Sequence, residues 1–478
     1  MWWDMTKSFN EEWTQWIRSN VDDGRDKDGI FKILLDEGYL YEDICLQMNY
    51  APSVPLGNLV NPHVEANFAA QTSMLGAMLD MNNVYMPNAK RLQTDKVELY
   101  TIADFLNEEE CESVIALICG QNQPSTLSSY EPDAGFRTSR TCNLRGLGGA
   151  AMQAIDDRIC KMLGIDPSYS ESIQGQYYEV GQQFKAHTDY FEANEIGLHR
   201  GRMGQRTFTF MIYLNNVEDG GETEFVRLGV KFKPRRGMAV VWNSLYADGR
   251  PNENTMHHAH PVLKGHKAII TKWFRSFSEK ESAPRMLTKE ANEFIPNYTV
   301  TGFEKSRLPS PLFEKIQKFY HENKNVQHDE HVQGNFIFNA ESRKPSSSTL
   351  VELSDALRQE IHDTLKPLME AWCGRTLEPT FVYGIRIYQD KAVLKPHRDR
   401  LETHIISAIL NVDQVVREDW PLVIDDNYYR EHRVLMKPGE MLFYEGGRLQ
   451  HGRPMALEGS VFANIFCHFK PKDYIPRR

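Results

Sequence analysis

Apolar residues recur at helical spacing near the start of the chain. Two such stripes are formed by Trp13, Trp16 and Ile17, and by Ile30, Ile33 and Leu34. The second stripe stops near Gly38, and glycine is typical of a helix C-cap. The pattern predicts a helical N-terminal lead-in over residues 1–94.

A strand and two helices are predicted from Lys96 onward. The short run VELYTI has strand character and precedes Asn107 and Glu110, which have the spacing of a capping box. Apolar positions then continue a helix to Gly120, and a second helix fits residues 150–163.

The segment from about residue 174 to 277 changes to short runs rich in β-branched and aromatic residues. These runs are QGQYYEV, RTFTFMIYLN, MAVVWN and AIITKWFRSF, and Gly, Asn and Pro separate them. Short strands with such punctuation are typical of an antiparallel β-sandwich or jelly roll.

The same order of elements returns after residues 281–309, a charged and proline-bearing stretch that is predicted to be a linker. Ser310 and Pro311 resemble an N-cap followed by Pro at the first helical position, and Ser354 opens a helix that ends at Gly374. Strand-like runs follow, namely FVYGIRIYQD, HIISAILNV, PLVI, EMLFYEG and VFANIFCHF. The sequence therefore predicts an α+β protein with strand-rich domains at 95–280 and 310–478.

Composition and charge restrict the class of protein. The chain has 478 residues, of which 41% are hydrophobic and 25% charged, which excludes a single small module and argues against wholesale disorder. Its 55 basic and 65 acidic side chains give a net charge of −10. We therefore expect neither nucleic acid nor a membrane surface as a partner.

The cysteines and the N-terminus indicate the compartment. Seven cysteines are scattered without a CxxC pair, unlike a disulfide framework. The sequence has no apolar run of about 18 residues, and the start MWWDMTKSFNEEW does not resemble a signal peptide. These features predict a cytoplasmic protein.

A His-x-Asp pair is the first group with chemical content. His187 and Asp189 are two residues apart, so in a strand they point to the same face. Two histidines and one carboxylate that leave three coordination positions open form the facial triad of non-haem iron(II) oxygenases. About one such pair is expected by chance in a chain of this length, so the surrounding sequence must indicate whether the pair binds a metal. The segment MHHAHPVLKGHKAIITKWF supplies candidate distal histidines and, ten residues after His257, Lys267.

The run from about residue 95 to 277 resembles the catalytic domain of prolyl 4-hydroxylases, which are 2-oxoglutarate- and iron(II)-dependent dioxygenases. The matching segments are FRTSRTCNL, YYEVGQQFKAHTDYF, FTFMIYLNNVEDGGETEF, KPRRGMAVVWN and HHAHPVLKGHKAIITKWF. The resemblance implies a double-stranded β-helix, or jelly roll, with flanking helices.

The same resemblance implies the site residues and the reaction. His187, Asp189 and His257 would be the catalytic iron ligands, Lys267 would pair with the distal carboxylate of 2-oxoglutarate, and Tyr178 would donate a hydroxyl to it. Iron(II), 2-oxoglutarate, O2 and ascorbate would be the cofactors. The expected reaction is hydroxylation of a carbon, preferably of a prolyl residue in a peptide or protein, with decarboxylation of 2-oxoglutarate to succinate.

Several residues compete for these roles. His258 and His260 crowd around His257, but the family's spacing to Pro and Gly-x-Lys selects His257. Lys272 lies five residues after Lys267, so we expect it to face away and to be solvated. A zinc or manganese cupin-like site, or histidines with only a structural role, are the alternatives to iron.

Other residues are predicted to surround the site. The polar loop 120–136, with Arg137 and Ser139 behind it, resembles a lid over a peptide substrate, and a plain surface loop is the alternative. Tyr213 is a candidate to line the barrel, and Trp242 is a candidate to lie near the site or to pack in the core.

The C-terminal block repeats part of this pattern. His397, Asp399 and His451 are candidates for a second metal site, and Tyr388 precedes His397 by nine residues, as Tyr178 precedes His187. These spacings predict a second, divergent jelly roll over residues 310–478.

The residues expected to bind the co-substrate differ between the two blocks. By spacing, Val461 stands where the first block has Lys267. Binding of 2-oxoglutarate there would be poor unless Arg453, Arg386 or Lys395 supplies a cation. Three interpretations stay open for this block: a scaffold or partner-docking domain that retains a metal, a second active oxygenase with a relocated anchor, and an unrelated β-domain.

Two other functions compete with peptide hydroxylation. One is hydroxylation of a free amino acid or another small molecule, and the other is a non-catalytic sensor or scaffold that binds iron and 2-oxoglutarate. Nucleic-acid demethylation needs a basic groove, which the acidic balance disfavours.

Overall fold

The chain divides into two compact units, one formed by Met1–Val84, Ala89–Cys160 and Ile165–Leu287, the other by Tyr85–Asn88, Lys161–Gly164 and Thr288–Arg478. The computed structural model describes residues 9–37, 39–52, 59, 85–125, 135–191, 203–246, 249–279, 294–330, 332–342 and 347–475. Within these ranges, no helix has both the length and the apolar character needed to cross a membrane.

Three short helices open the first unit. They are α1 (Glu11–Asp22), α2 (Lys27–Asp36) and α3 (Tyr41–Met48). Asn10 and Asp26 cap the first two, because their side chains accept hydrogen bonds from Trp13 N and Gly29 N. The helices share a small apolar core that includes Phe31. Both predicted helical stretches are present, and the predicted C-cap Gly38 lies outside the described residues.

Short strands and two longer helices make up the rest of this unit. The helices are α4 (Glu108–Gln121) and α5 (Gly149–Leu163), of which the last three residues are assigned to the second unit. The strands are β1 (Ala89–Arg91), β2 (Leu99–Ile102), β3 (Gln123–Pro124), β4 (Arg140–Asn143), β5 (Gln174–Tyr178), β6 (Phe184–His187), β7 (Arg206–Tyr213), β8 (Asp219–Gly220), β9 (Thr223–Phe225), β10 (Val230–Phe232), β11 (Ala239–Asn243), β12 (His257–Ala259), β13 (Val262–Lys264) and β14 (Lys267–Arg275). The predicted capping box of Asn107 and Glu110 is confirmed at the start of α4.

Most of these strands form a jelly roll of two facing antiparallel sheets, which we call the first barrel, and β8 pairs with β13 in a separate two-stranded sheet. The large sheet has the order β1-β2-β11-β7-β14-β5-β4-β3, and the small sheet has the order β10-β9-β12-β6. Apolar residues of both sheets, such as Met211, Val240 and Phe225, pack between them. The predicted jelly roll is confirmed. Strand β1 belongs to the large sheet although it lies within the expected lead-in 1–94.

Lys272 differs from the prediction of a solvated charge. It lies on β14 and faces away from Lys267, as the strand alternation requires. The side chain is nevertheless only 2% exposed. Its ammonium donates to Asp156 Oδ1 on α5 at 2.6 Å and to the Glu171 carbonyl at 3.2 Å. The prediction was wrong because α5 covers this face of the sheet.

The Lys272–Asp156 pair leads to a stability prediction. Replacing Asp156 with alanine should lower the free energy of unfolding by ~3 kcal/mol, because it leaves a buried ammonium without its carboxylate. Chemical denaturation followed by tryptophan fluorescence measures this change. The matched control is Asp157→Ala, which removes a carboxylate bonded to Gln153 and should cost under about 0.5 kcal/mol. Equal effects of both substitutions would contradict a stabilising role of the pair.

The second unit repeats the order of helices followed by strands. Its helices are α6 (Ser310–Asn323) and α7 (Asp355–Cys373). Its strands are β15 (Phe303–Arg307), β16 (His328–Asp329), β17 (Ile337–Asn339), β18 (Ser348–Val351), β19 (Leu377–Val382), β20 (Ile385–Tyr388), β21 (Ala392–His397), β22 (Ile406–Val416), β23 (Leu422–Asp425), β24 (Glu431–Val434), β25 (Glu440–Tyr444), β26 (His451–Arg453) and β27 (Gly459–Pro471).

The ends of its helices test two capping predictions. Ser354 caps α7 by accepting a hydrogen bond from Leu357 N, and Gly374 ends the helix with a φ of 67°, as predicted. Helix α6 instead has Pro309 as its N-cap residue, so the predicted cap Ser310 is already helical. Strand β15 lies in the expected linker 281–309 but pairs with β25, so this part of it belongs to the sheet.

Two antiparallel sheets again face each other in what we call the second barrel. The large sheet has the order β15-β25-β22-β27-β20-β18-β16, with β19 also paired to β27. The small sheet has the order β17-β21-β26-β23-β24. In both barrels, the strand that carries the first histidine of a candidate site pairs with the strand that carries the second. The second jelly roll over residues 310–478 stays a prediction, which this sheet order supports.

Candidate active site

Three possible metal donors meet in the first barrel. His187 ends β6 and lies opposite His257 on β12, while Asp189 follows β6 by two residues. One ligand atom from each lies within 4.8 Å of the others. Asp189 and His257 are only 7% and 6% exposed, so the group is shielded from bulk water.

Neighbouring groups hold these three side chains in an orientation suited to a metal. The Nδ1 atoms of His187 and His257 lie 2.8 and 2.9 Å from the carbonyls of Lys185 and Thr255. A carbonyl only accepts, so each Nδ1 carries a proton, and in the neutral ring the lone pair is then at Nε2. Burial, together with the nearby His257, holds the pKa of His187 well below its usual value. The neutral form that a metal requires is therefore favoured.

The two other histidines of the cluster have different partners. His258 Nε2 lies 3.4 Å from Gln183 Oε1, and His260 Nε2 lies 2.6 Å from Glu224 Oε2. Their rings stack on each other with centroids 4.2 Å apart. Of the three candidate distal histidines, His257 is the one that the structure groups with His187 and Asp189.

Lys267 and Tyr178 lie opposite each other on β14 and β5. The Lys267 ammonium lies 5.1 Å from the Tyr178 ring centroid and 3.5 Å from Thr223 Oγ1. Lys267 is 0% exposed, and this burial lowers its pKa to about 7. The Tyr178 hydroxyl, also buried, donates to Gln176 Oε1 at 2.7 Å. An ammonium in such a place favours a ligand carboxylate.

One cavity of about 430 Å³ is lined by the candidate metal donors and also by Lys267 and Tyr178. Its walls also include Phe136, Arg137, Phe184, Arg206, Met211, Thr223, Trp242 and Trp273. Trp242 lies edge-on to His257, with centroids 5.0 Å apart, so it lies at the site. Tyr213 is buried, and its hydroxyl donates to Thr223 Oγ1 at 2.7 Å.

The region around the expected lid is partly described. Arg137 lies over the Phe184 ring at 4.7 Å, and burial lowers its pKa. Ser139 is buried, and its hydroxyl lies 2.9 Å from that of Ser125. Residues 126–134 of the predicted lid 120–136 lie outside the described residues, so the lid stays a prediction.

The sequence reasoning missed three residues that support the site. Thr209 donates to Asp189 Oδ2 at 2.8 Å, which fixes the carboxylate. Phe184 stacks on His187 with centroids 3.5 Å apart. Thr223 contacts both Lys267 and Tyr213. Thr209 could have been identified as a polar residue on the inward-facing side of the predicted strand in RTFTFMIYLN. Thr223 could have been identified by its position in the motif GGETEF.

A similar donor set lies in the second barrel. Ligand atoms of His397, Asp399 and His451 also lie within 4.8 Å of one another. The Nδ1 atoms of the two histidines lie 2.9 and 3.0 Å from the carbonyls of Lys395 and Leu449. Although burial opposes it, His451, His468 and His397 lower the pKa of Asp399 to about 2.

Hydroxyl groups hold Asp399 as Thr209 holds Asp189. The hydroxyls of Ser407 and Tyr444 donate to Asp399 Oδ2 at 3.2 and 3.1 Å. The strand register corrects the prediction that Val461 takes the place of Lys267. Lys267 lies opposite Tyr178 in the first barrel. In the second barrel, the residue opposite Tyr388 is Phe462.

Comparison with known proteins gives a family match in the first barrel. Residues 173–275 match the model of the 2OG-Fe(II) oxygenase superfamily. This range contains both histidines, the aspartate, Tyr178 and Lys267. The match does not extend to the second barrel.

Curated relatives point in the same direction. The chain is 30% identical over 199 residues to prolyl 4-hydroxylase 13 of Arabidopsis thaliana, covering 37% of this chain and 70% of that protein. It is 29% identical over 202 residues to prolyl 4-hydroxylase subunit alpha-1 of Gallus gallus, covering 41% of this chain. The chain spans only 39% of the length of that subunit.

Solved structures with a related arrangement include a viral collagen prolyl hydroxylase from Paramecium Bursaria Chlorella virus-1 in its 2OG complex. It is 24% identical, covers 38% of this chain and 96% of its own, and has a TM-score of 0.31. A prolyl hydroxylase from Trichoplax adhaerens, in complex with a hypoxia inducible factor peptide fragment, is 16% identical with a TM-score of 0.30, and covers 46% of this chain and 95% of its own.

Proposed function

The chain belongs to the prolyl 4-hydroxylase family of 2-oxoglutarate- and Fe(II)-dependent oxygenases, and on this premise we propose that it hydroxylates a prolyl residue of a peptide or protein. The single observation that carries the proposal is one cavity that joins a His-Asp-His donor set to a buried lysine. In the overall reaction, 2-oxoglutarate and O2 are consumed while succinate and CO2 are released, and one oxygen atom enters the substrate C–H bond.

His187, Asp189 and His257 would hold the Fe(II). Two imidazole Nε2 atoms with free lone pairs and one carboxylate oxygen match the facial triad, so the residues present fit this metal. When bound, the metal supplies the oxidising chemistry with 2-oxoglutarate and O2. Thr209 would keep Asp189 in place, because it occupies Oδ2 and leaves Oδ1 for coordination.

Lys267 would bind the carboxylate of 2-oxoglutarate that is distal to the metal. Its ammonium lies at the buried end of the cavity, where a charge-assisted bond to a carboxylate is little weakened by water. Tyr178 lies beside it and would give a second hydrogen bond to the same carboxylate by turning its hydroxyl away from Gln176 Oε1. The pair would thereby orient the co-substrate toward the metal.

The preference for a peptidyl substrate is supported by the curated relatives, which are named prolyl 4-hydroxylases. Aromatic and cationic side chains line the cavity walls. Arg206 lies 4.0 Å from the Trp273 ring, and Glu171 holds its guanidinium with two bonds of 2.8 Å. Such a fixed planar group suits the backbone carbonyls of an extended chain.

Three further properties belong to the same proposal. Ascorbate would keep the iron in its ferrous state. The second barrel would offer a docking surface for a partner. A cytoplasmic location would suit the seven cysteines, all of which are free thiols.

A peptide panel tests the proposed reaction. We expect the chain with Fe(II), ascorbate and 2-oxoglutarate to form succinate and to add one oxygen atom to Pro-containing peptides. Matched peptides with alanine in place of proline should gain no oxygen. Turnover of free proline but of no peptide would favour the small-molecule alternative. Tight 2-oxoglutarate binding without turnover on any substrate would favour a sensor or scaffold.

A further inference from the structure

A buried arginine lies beside the donor set of the second barrel. Arg453 follows His451 by two residues on β26, so both side chains point to the same face of the strand. Arg453 is 1% exposed, and it lines a cavity of about 360 Å³ together with His397, Asp399 and His451. Burying a cation is costly unless an anion or several acceptors compensate.

The contacts of Arg453 leave one nitrogen unused. Its Nη1 donates to the Trp420 carbonyl, and its guanidinium lies 4.6 Å from the Trp420 ring centroid. Its Nη2 is buried and has no hydrogen-bond partner in the described part of the chain. Burial also lowers its pKa, to about 10. The carbonyl and the ring of Trp420 thus hold the guanidinium in place, while Nη2 remains available to a ligand.

The register of the large sheet shows what replaced the first barrel's ammonium. Lys267 lies opposite Tyr178 in the first barrel, whereas Phe462 lies opposite Tyr388 in the second. The second barrel therefore has an aromatic ring at the strand position of the ammonium.

The register of the small sheet shows where a cation returns. Ala259 follows His257 by two residues in the first barrel, and Arg453 follows His451 by two residues in the second. The Arg453 guanidinium lies 4.4 Å from the ring centroid of Phe462. The cation thus lies on the small sheet instead of the large sheet, and its guanidinium still reaches the ring that stands at the strand position of Lys267.

The two other cations considered for this corner have different surroundings. Arg386 lines the cavity, but Glu330 pairs with it through two bonds, one of them 2.6 Å long. Lys395 is exposed, and its ammonium lies over the Phe338 ring at 5.4 Å. Of these three, Arg453 is the one that is buried in the cavity and has no carboxylate partner in the described part of the chain.

We propose that the second barrel is a metal-dependent binding site for a 2-oxo dicarboxylate, in which Arg453 pairs with the carboxylate distal to the 2-oxo group. His397, Asp399 and His451 hold the divalent ion, since their donor atoms are grouped and oriented as in the first barrel. The unpartnered Nη2 of Arg453 can donate a charge-assisted hydrogen bond to a carboxylate oxygen.

Ligand binding to the full chain tests the proposal independently of hydroxylation. In the double variant His187→Ala/Asp189→Ala, which lacks the first donor set, we expect one Mn(II) per chain after dialysis, measured by metal analysis. Calorimetry on this Mn(II) form then compares 2-oxoglutarate with 2-oxopentanoate, which has the same carbon chain without the distal carboxylate. We expect 2-oxoglutarate to bind at least about a hundredfold more tightly, because only it can pair with Arg453.

Variants in the same background identify the anchor. Arg453→Met should retain Mn(II) and lose the preference for 2-oxoglutarate, and Arg453→Lys should keep part of it. Lys437→Met, which removes an exposed cation of the second barrel, should leave the preference unchanged. Absence of bound Mn(II) in the double variant would overturn the proposal, as would equal binding of the two acids. Retention of 2-oxoglutarate affinity within threefold in Arg453→Met would also overturn it. Should Arg453→Met unfold, the comparison of the two acids with native Arg453 still decides.

Discussion

Replacing Asp189 with alanine is expected to reduce prolyl hydroxylation to background. The substitution removes the one carboxylate from a donor set whose other two members are histidine side chains. Loss of a residue that merely orients a ligand costs about 10–100-fold in metal affinity or activity. Loss of the ligand itself should therefore cost more than about a hundredfold in Fe(II) affinity. Succinate formation and metal content of the dialysed protein measure the two effects.

Two further variants separate coordination from folding. Thr209→Val removes the hydroxyl that donates to Asp189 Oδ2 and should give an intermediate loss of about tenfold or more. Asp219→Ala removes an exposed carboxylate from β8 of the same barrel and should leave turnover unchanged. Full activity of Asp189→Ala with bound Fe(II) would show that another residue completes the site.

Replacing Lys267 with methionine should weaken 2-oxoglutarate binding by at least about a hundredfold while Fe(II) still binds. Methionine keeps the apolar stem but removes the buried cation that would face the distal carboxylate. Losing one partner of a buried ion pair costs ~3–5 kcal/mol, which corresponds to at least a hundredfold in affinity. The dependence of succinate formation on 2-oxoglutarate concentration measures the change.

Lys272→Met is the matched control for Lys267→Met. It alters the same strand but on the opposite face, where the side chain pairs with Asp156 instead of lining the cavity. Affinity for 2-oxoglutarate should then stay within threefold of the native value. If Lys267→Met also stayed within threefold, Lys267 would not be the anchor.

The same lysine predicts how binding depends on pH. Burial lowers the pKa of Lys267 to about 7, and a bound carboxylate would raise it again. Below pH 7 the ammonium is already present, so binding takes up no proton. Above pH 7 each binding event takes up a proton, so affinity should fall by up to about tenfold per pH unit. Calorimetry in buffers of different ionisation enthalpy measures this uptake.

The candidate site of the first barrel was largely predictable because its information is local. Strand alternation places His187 and Asp189 on one face, and an ordered set of motifs distinguishes His257 from its neighbours. The jelly roll was predictable for the same reason, since short alternating strands with Gly and Pro punctuation identify the class. Even the capping box of Asn107 and Glu110 followed from spacing alone.

Features that depend on pairing between distant segments were not predictable in this way. Lys272 is buried because helix α5 brings Asp156 over it, across more than a hundred residues of sequence. Thr209 reaches Asp189 only after β7 is aligned in the sheet. Counting along one chain cannot give such contacts, because register depends on both partner strands.

The sequence by itself determined the fold class, the family and the local patterns that carry the candidate metal donors of both barrels, because alternation along a strand is an intrinsic property of the chain. Only the tertiary structure decided what surrounds them. Cross-strand register put Phe462, instead of Val461, in the place of Lys267 and brought the Arg453 guanidinium over its ring. The physical reason is that the charge and burial of a site in a barrel depend on the register of several strands at once. A single β-bulge shifts the pairing of every residue that follows it in its strand.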